Sequence, residues 1–407
     1  MEETPPDWLS ADFLTKCLQH EEEYRDVVVT NYSTVRAALP GEHYLSCPLR
    51  VKVDYSDTNG NAHSLSLIIK SEITNSNLQN IADTFGCSES IFYRNFLPEV
   101  SSFEVISFAP KSFFSPKFSI VVLEDLREDG YVMASRVKGL DFEHCRCCLS
   151  NLAALHAVSF AVIKEKPEFI ESIGKDKLYF HGSMGESLIK MMIVSAMRCM
   201  TEYSEVTDRF KKYSKLLENI SSTVWDMVVE VVKRREEFNT ITHVDPSINN
   251  MMFKYNEQGT LVEMKLLDFQ AVRYGSPALD LVYFTWTSMN EDVRLNRRDE
   301  LYQYYVKELN RNLKQMNCSE SISYDDINQK IKSLSPLALS TMAIYQHLLC
   351  EKPLENVDDF FVKGNEEKCY QLYKPYFDEN ARNNRLSKQF EALELAGVFE
   401  YFNHSQE

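Results

Sequence analysis

The sequence predicts an α+β protein with two unequal lobes, a small β-rich lobe followed by a large, mostly helical one. Residues 49–55 alternate apolar and polar side chains, as a half-buried strand does, and Asn59-Gly60 follows as a strong hairpin signal. In the second part of the chain apolar residues recur three and four apart, which indicates helices. We therefore expect residues 1–130 to form the N-terminal lobe and residues 131–407 the C-terminal lobe.

In the N-terminal lobe, local patterns predict the order of the elements. Residues up to about 40 are expected to be helical, because apolar side chains recur at helical spacing over residues 12–23. The predicted elements that follow are strands at 49–56 and 63–70, a helical stretch around Glu89, and strands at 103–110 and 118–126.

In the C-terminal lobe, long helical stretches surround a short β island. Residues 145–159 carry apolar side chains three and four apart, and residues 184–238 contain few helix breakers, so both stretches are predicted to be mostly helical. The β island is expected from Thr240 to Phe269, and helices are expected to fill the chain to about Leu395.

The composition is that of a large acidic globular protein. Of its 407 residues 44% are hydrophobic, which supplies enough apolar surface for two lobes. With 44 basic and 60 acidic residues, the formal net charge is −16. Such a surface repels phosphate backbones and anionic lipid, so we expect no nucleic-acid partner.

The chain carries no recognisable targeting or membrane signal. Its first residues, MEETPPDWLS, lack a basic segment and an apolar core, so no signal peptide is predicted. No apolar run approaches the length of about 18 residues that suggests a membrane span. Cys145, Cys147 and Cys148 lie in an apolar helical pattern without a C-x-x-C pair, which favours buried thiols over a zinc site. We expect a reduced, cytoplasmic protein.

The most informative segment for function lies at residues 240–284. The letters H-V-D at 243–245 are followed by Asn250, which is the spacing H-x-D-x-x-x-x-N of a kinase catalytic loop. Two short strands around an N-E-Q-G turn then lead to D-F-Q at 268–270, the position of the kinase D-F-G triplet. The alternative is a loop aspartate that caps a helix and a second aspartate in a turn, but two motifs joined by a hairpin favour phosphoryl transfer.

Phosphoryl transfer explains why these residue types are needed. Its transition state spreads negative charge, which metal ions offset while a carboxylate orients the acceptor hydroxyl. Asp245 is the predicted catalytic base. Asn250 and Asp268 are the predicted catalytic ligands of Mg²⁺, since amide and carboxylate oxygens suit this hard cation.

Two residues of the N-terminal lobe fit a nucleotide-phosphate site. Lys70 ends an apolar strand, and Glu89 follows in a helical stretch as its expected ion-pair partner. The alternatives are that Lys70 is an ordinary lysine at the end of a strand and that Glu89 is a solvated glutamate. Upstream, the segment that begins at Gly41 is the candidate phosphate-covering turn, with Ser46 as a phosphate contact.

The letters L-E-D-L at 123–126 end the last predicted strand before the lobe boundary. In a two-lobed kinase this is the hinge, and the backbone around Glu124 and Leu126 is predicted to pair with the adenine of ATP. The alternative is that Glu124 and Asp125 form a solvated turn.

With these residues in hand, the chain resembles the ecdysteroid kinase-like (CHK kinase-like) family of invertebrate small-molecule kinases, relatives of choline kinases and aminoglycoside phosphotransferases. The matching segments run from about Gly41 to Phe284 and include GEHYLS, RVKVDY, IIK, VLEDL, LAALHA and DFQAVRYGSPALDLVYF. The last of these is the most specific.

The resemblance implies a bilobal protein-kinase-like fold and an enzyme that uses ATP and Mg²⁺. Its acceptor would be a hydroxyl on a small lipophilic molecule, such as an ecdysteroid or a xenobiotic or dietary toxin. By position, Asp245 would be the base, Asn250 and Asp268 would bind metal, and Lys70 with Glu89 would organise the phosphates.

Two positions depart from the family's H-G-D motif, which is followed two residues later by Trp. Val244 occupies the glycine position and Ser247 the tryptophan position. A β-branched residue does not readily adopt a positive φ, so the loop is expected to be displaced if that glycine serves a special dihedral. The alternative function is therefore a catalytically impaired pseudokinase or a small-molecule binding protein. A protein kinase is disfavoured, because the segment R-Y-G-S-P-A-L-D follows D-F-Q too closely to leave an activation loop.

Three further expectations concern the surroundings of the site. Asp280 is expected to tie down the backbone of the catalytic loop, and His156 to be a satisfied core histidine. A methionine-rich stretch forms a hypothetical apolar acceptor pocket, with plain core as the favoured alternative. Its members are Met184, Met191, Met192, Met197 and Met200.

Overall fold

The computed structural model describes residues 5–37, 48–71, 83–103, 105–235, 238–352 and 365–404. The N-terminal part is built on a five-stranded antiparallel sheet with the order β1-β2-β3-β5-β4. Its strands are β1 (Val28–Arg36), β2 (Leu49–Ser56), β3 (Ala62–Lys70), β4 (Ser112–Phe113) and β5 (Val121–Glu124).

Helix α1 (Ala11–Gln19) covers one face of this sheet. Its apolar stripe packs with alternate side chains of β2, β3 and β5 in one buried cluster. Because side chains alternate along a strand, the residues between them lie on the opposite face. That face is turned towards the C-terminal lobe, since Lys70 on it contacts Asp268.

The predicted hairpin between β2 and β3 is confirmed. The Asp57 carboxylate accepts the N–H groups of Asn59 and Asn61, each at 2.9 Å. Gly60 has a φ of 79°, a left-handed conformation that glycine adopts without steric cost.

The prediction that residues up to about 40 are helical holds for α1 and for a short 3-10 turn at Glu22–Tyr24. It is wrong for the residues that follow. Residues 28–36 form β1, which pairs with β2 from Val28 opposite Ser56 to Arg36 opposite Leu49. The segment V-V-V-T-N-Y-S-T-V at 27–35 is rich in β-branched residues, which favour strands. That composition was the signal that could have revealed the strand.

The strand expected at Phe103–Pro110 is also wrong, because the described residues of this segment are irregular. Its backbone is bound to the other lobe instead. The Phe108 carbonyl accepts the Leu266 N–H at 2.7 Å, and the Ser107 carbonyl accepts from Lys265 Nζ at 2.7 Å. The edge strand of the sheet is the short β4, while the strand predicted at 118–126 is present as the shorter β5.

Helix α2 lies between β3 and β4 and presents Glu89 to the C-terminal lobe. It is α-helical at Ser88–Ile91 and Leu97–Val100, with a π-helical turn at Phe92–Phe96. Such turns are rare and occur often at functional sites.

The C-terminal lobe combines two small sheets with thirteen further helices among the described residues. The strand orders are β6-β8-β9 and β10-β7. The strands are β6 (Val132–Met133), β7 (Thr240–Thr242), β8 (Met251–Tyr255), β9 (Leu261–Leu266) and β10 (Arg273–Gly275). The helices with at least six residues are α3 (Phe142–Glu165), α4 (Glu168–Ile173), α5 (Met184–Val206), α6 (Ser214–Ile220), α7 (Val224–Val231), α8 (Ala278–Thr287), α9 (Glu291–Asn296), α10 (Arg298–Gln315), α11 (Tyr324–Ser333), α12 (Ser335–Ile344), α13 (Glu366–Arg382), α14 (Arg385–Leu395) and α15 (Val398–His404).

Helix α3 lies at the centre of this lobe and is buried along most of its length. By length and composition it is the one helix in the described part of the chain that passes as a membrane span. Its apolar window is 78% buried inside the fold, as in the core helix of a globular protein.

Candidate active site

The candidate catalytic loop connects β7 to β8. Asn250 closes a short 3-10 turn, Ile248–Asn250, just before β8 begins. Its Nδ2 donates to the Asp245 carbonyl at 3.0 Å and to Asp245 Oδ2 at 2.9 Å. The structure therefore joins the predicted base to a predicted metal ligand, and the Asn250 side-chain oxygen is the atom suited to a cation.

Asp280 anchors this loop, as the sequence predicts. Its carboxylate accepts the backbone N–H of His243 at 2.7 Å and that of Val244 at 2.8 Å. The carboxylate also contacts His156 Nε2 at 2.9 Å, and His156 Nδ1 contacts the Tyr305 hydroxyl at 2.8 Å. His156 is fully buried and satisfied, which confirms the core interpretation.

Val244 has a φ of 74°, in the left-handed region that a β-branched residue rarely enters. Val244 therefore adopts a dihedral that the sequence analysis did not expect a β-branched residue to adopt readily. Asp280 holds the backbone that leads into this dihedral, because it accepts the N–H of Val244 and that of the preceding His243.

Asp268 follows β9 and meets the two predicted residues of the N-terminal lobe. Lys70 Nζ lies 2.7 Å from Glu89 Oε1 and 3.5 Å from Asp268 Oδ1. Glu89 Oε1 also accepts the Phe269 N–H at 3.3 Å. The structure thus brings Lys70, Glu89 and Asp268 together across the two lobes.

An aromatic stack that sequence reasoning missed holds this arrangement. Phe269 lies between Phe92 of α2, with ring centroids 4.0 Å apart, and His243 of the catalytic loop, at 4.9 Å. Phe92 and Phe269 are fully buried. The available signal was that Phe92 follows Glu89 by three residues and so lies near it on a helix surface.

Burial and charge shift the pKa values of the site in different directions. Burial raises the pKa of Asp245, and the nearby Asp268 carboxylate raises it further. Burial alone would lower the pKa of Lys70, but the Asp268 and Glu89 carboxylates outweigh it and hold that pKa above its ordinary value. Lys70 therefore stays an ammonium.

The site fits a divalent cation. Three carboxylates lie close to one another here, those of Glu89, Asp245 and Asp268. The ammonium of Lys70 lies among them. Asp245 Oδ1 is buried and has no hydrogen-bond partner among the described residues. Oxygen-rich, negatively charged surroundings of this kind suit Mg²⁺, with Asn250 and Asp268 as the residues that would hold it.

The hinge segment is tied to the N-terminal sheet. Glu124 is bound to the neighbouring strand, because its N–H donates to the Lys111 carbonyl at 3.0 Å and its Oε1 accepts the Lys111 N–H at 2.7 Å. Asp125 is buried, so the solvated-turn alternative is wrong at this residue. The predicted phosphate contact Ser46 lies outside the described residues.

Below the hinge lies an apolar layer that the sequence analysis missed. Leu126, Tyr131 and Met252 are buried in one cluster, with Leu267 packed against it. Met252 follows Asn250 by two residues and Leu267 directly precedes Asp268. Their closeness to the two motifs was the signal that could have found them.

The methionine-rich stretch divides between the main core and a smaller apolar cluster. Met197 and Met200 are fully buried in the main core, as the core alternative expects. Met184 instead packs with Phe85 and Leu188 in a small cluster that also contacts Ala271, directly after D-F-Q.

Fold and site together define a small-molecule phosphotransferase with a bilobal protein-kinase-like fold, an enzyme class that acts on hydroxyl groups. Within that class the chain belongs to the ecdysteroid kinase-like family, whose model matches residues 40–318. None of the curated proteins matches the chain.

Solved structures give distant likenesses. The macrolide 2′-phosphotransferase MphH from Brachybacterium faecium is 11% identical with a TM-score of 0.33, and the match covers 77% of this chain and 88% of that one. The aminoglycoside phosphotransferase APH(2″)-IIa, solved with streptomycin and ATP, is 12% identical with a TM-score of 0.34, and the match covers 82% and 98%. Similarity this low says nothing about the acceptor of this chain.

Proposed function

We propose that this protein transfers a phosphoryl group from ATP, with Mg²⁺, to a hydroxyl on a small lipophilic molecule, such as an ecdysteroid or a xenobiotic or dietary toxin. The observation that carries the proposal is the buried, unpartnered Asp245 Oδ1, held beside Asn250. It stands next to the Lys70, Glu89 and Asp268 group.

Each of these residues has a definite part in the proposed reaction. Asp245 accepts a hydrogen bond from the acceptor hydroxyl at Oδ1 and takes up its proton as the hydroxyl oxygen bonds to the γ-phosphorus of ATP. The bond from that phosphorus to the bridging oxygen breaks at the same time, and ADP leaves with that oxygen. Lys70 remains charged and pairs with phosphate oxygens, while Glu89 fixes its direction. Mg²⁺, when bound by Asn250 and Asp268, offsets the charge of the transferred group.

One observation favours the alternative of an impaired enzyme or a binding protein of the same fold. The positive φ of Val244 stores backbone strain next to the predicted base. The Asp245–Asn250 pair and the Asp280 anchor are nevertheless intact, so we favour the active enzyme.

The test is release of ADP from Mg·ATP with a panel of acceptors: ecdysteroids, choline, ethanolamine and plant phenolics. Turnover with one acceptor class that is lost in Asp245→Asn supports the proposal and names the substrate class. If the protein binds Mg·ATP and turns over no acceptor, Val244→Gly separates the two functions. If this variant gains turnover, strain at Val244 impairs the site. If it still turns over no acceptor, a binding protein is favoured.

A further inference from the structure

Asp125 of the hinge is bound to two strands of the N-terminal sheet. Arg50 Nε donates to Asp125 Oδ2 at 2.5 Å and Arg50 Nη2 to Oδ1 at 3.3 Å, a two-point contact that fixes the guanidinium plane. Ser66 Oγ donates to the same Oδ2 at 2.7 Å. The side chain of Asp125 is 2% exposed and that of Arg50 22%. We call these three residues the Arg50 clasp.

The clasp lies on the face of the sheet that covers the site. Arg50 of β2 is directly opposite Ile68 of β3 in the ladder, and opposite residues of an antiparallel pair point to the same face. Ser66, Ile68 and Lys70 alternate along β3 and therefore share that face. Arg50 thus lies beside Ile68 on the surface from which Lys70 reaches the phosphate site.

The apolar layer of Leu126, Tyr131, Met252 and Leu267 runs from the hinge into the other lobe. It begins at the residue after Asp125, so the clasp and this layer meet at the hinge. The Leu126 N–H donates to no other group among the described residues, and its carbonyl accepts from Asp129 and Tyr131. A planar guanidinium, a backbone N–H and an apolar layer that meet at one hinge are the kinds of group that recognise a nucleotide base.

We propose that Arg50 is a nucleotide-binding residue whose guanidinium lies against the base, and that Asp125 and Ser66 are positioning residues that hold it there. This inference rests on the proposed function. Guanidinium planes stack well on aromatic rings and are weakly hydrated. Because Asp125 neutralises Arg50, the contact is with the uncharged base, while the phosphates lie at the Lys70 end of the same strand face.

A purely structural salt bridge would explain the same distances, so the test must separate base binding from stability. Calorimetric titration compares ADP with inorganic pyrophosphate, which carries phosphates without a base. The variants are Arg50→Leu and Arg50→Lys, with Lys52→Leu as the matched control. Lys52 is an exposed cation two residues further along β2, on the same face.

We expect Arg50→Leu to weaken ADP binding about tenfold, the size of one lost base-stacking contact. Arg50→Lys should weaken it as well, because an ammonium can still pair with Asp125 but has no plane to offer. Pyrophosphate affinity should stay unchanged in both variants, and Lys52→Leu should bind both ligands like the wild type.

Equal ADP affinity in wild type and both Arg50 variants overturns the inference and leaves the proposed function standing. An equal loss for ADP and pyrophosphate also overturns it, because the effect would then be on phosphate. If Arg50→Leu does not fold with Asp125 left unpaired, Arg50→Lys and the double variant Arg50→Leu, Asp125→Leu carry the test. A folded wild type that binds neither ADP nor ATP contradicts the proposed function itself.

Discussion

Val244 and Asp280 form a linked pair at the scale of single residues. A β-branched residue at a φ of 74° costs about 1–3 kcal/mol. The fully buried Asp280 offsets that cost by accepting two backbone N–H groups and contacting His156. The position of Asp245 therefore depends on a carboxylate 35 residues further along the chain, by the difference 280 − 245.

Asp280→Asn should lower the free energy of unfolding by about 1–3 kcal/mol, because the new amide nitrogen cannot accept one of these hydrogen bonds. It should also lower kcat more than nucleotide affinity, since the catalytic loop is what it holds. Urea denaturation and steady-state kinetics measure both effects. Asp129→Asn, at an exposed position of the hinge turn, is the control. Full stability of Asp280→Asn would contradict the anchoring role.

Replacement of aspartate by asparagine should change the stability of the folded state in opposite directions at Asp245 and at Asp125. Burial raises the pKa of Asp245, so its ionised form destabilises the folded state at neutral pH. Burial also acts to raise the pKa of Asp125, but hydrogen bonds from Arg50 and Ser66 outweigh it and hold that pKa below its usual value. Ionised Asp125 therefore stabilises the folded state.

At pH 7 we expect Asp245→Asn to raise the free energy of unfolding and Asp125→Asn to lower it. The gain from Asp245→Asn should shrink as pH falls below the raised folded-state pKa towards the unfolded value of about 3.9. The loss from Asp125→Asn should shrink as pH falls from about 3.9 through the lowered folded-state pKa. Urea denaturation across pH checks both, and equal signs at pH 7 would refute this account of the charges.

At the scale of elements, α2 and the D-F-Q turn act as one unit. Glu89 binds both Lys70 and the Phe269 N–H, and Phe92 stacks on the Phe269 ring. The π-helical turn begins at Phe92, where the helix meets the other lobe.

Phe92→Leu should lower kcat several-fold beyond what lost stability explains, because it releases the ring that fixes Phe269 beside Asp268. Phe96 is equally buried in the same helix, and none of its ring contacts is with Phe269. Phe96→Leu should therefore lower stability by a similar amount, about 1 kcal/mol, with little effect on kcat. Steady-state kinetics and thermal unfolding of the two variants measure these effects. Equal kcat values would show that the stack of Phe92 on Phe269 contributes to stability and not to catalysis.

The sequence analysis correctly predicted elements that short local motifs specify. The β2–β3 hairpin follows from Asn59-Gly60 and the β8–β9 hairpin from the N-E-Q-G turn, where Gly259 has a φ of 75°. Residues 28–36 were missed because the helical spacing of α1 was extended over a β-branched run.

Tertiary contacts account for what the sequence analysis did not find. The irregular backbone at Phe108 is set by β9, far along the chain. The Arg50–Asp125 pair joins residues 75 apart, and no spacing rule connects them. By contrast, Asp245, Asn250, Asp268, Lys70 and Glu89 all lie in the site, because their motifs fix their places on strands, helix and loop.

At the scale of the whole molecule, ligand binding should stabilise both lobes together. Lys70 and Glu89 come from the N-terminal lobe, while Asp268 and the catalytic loop come from the other. Mg·ADP at a hundred times its Kd should raise the free energy of unfolding by about 2.7 kcal/mol. Lys70→Met should remove most of this gain at the same ligand concentration. Thermal unfolding with and without Mg·ADP measures it, and an unchanged gain in the variant would place the phosphates elsewhere.

In the proposed reaction, Asp245 promotes transfer of a phosphoryl group to an acceptor hydroxyl. The most direct measurement is mass spectrometry of the acceptors after incubation with Mg·ATP, for the wild type and for Asp245→Asn. We expect an acceptor heavier by one phosphoryl group with the wild type and none above background with Asp245→Asn. A product formed equally by both proteins would contradict it, because the transfer would then not depend on this carboxylate.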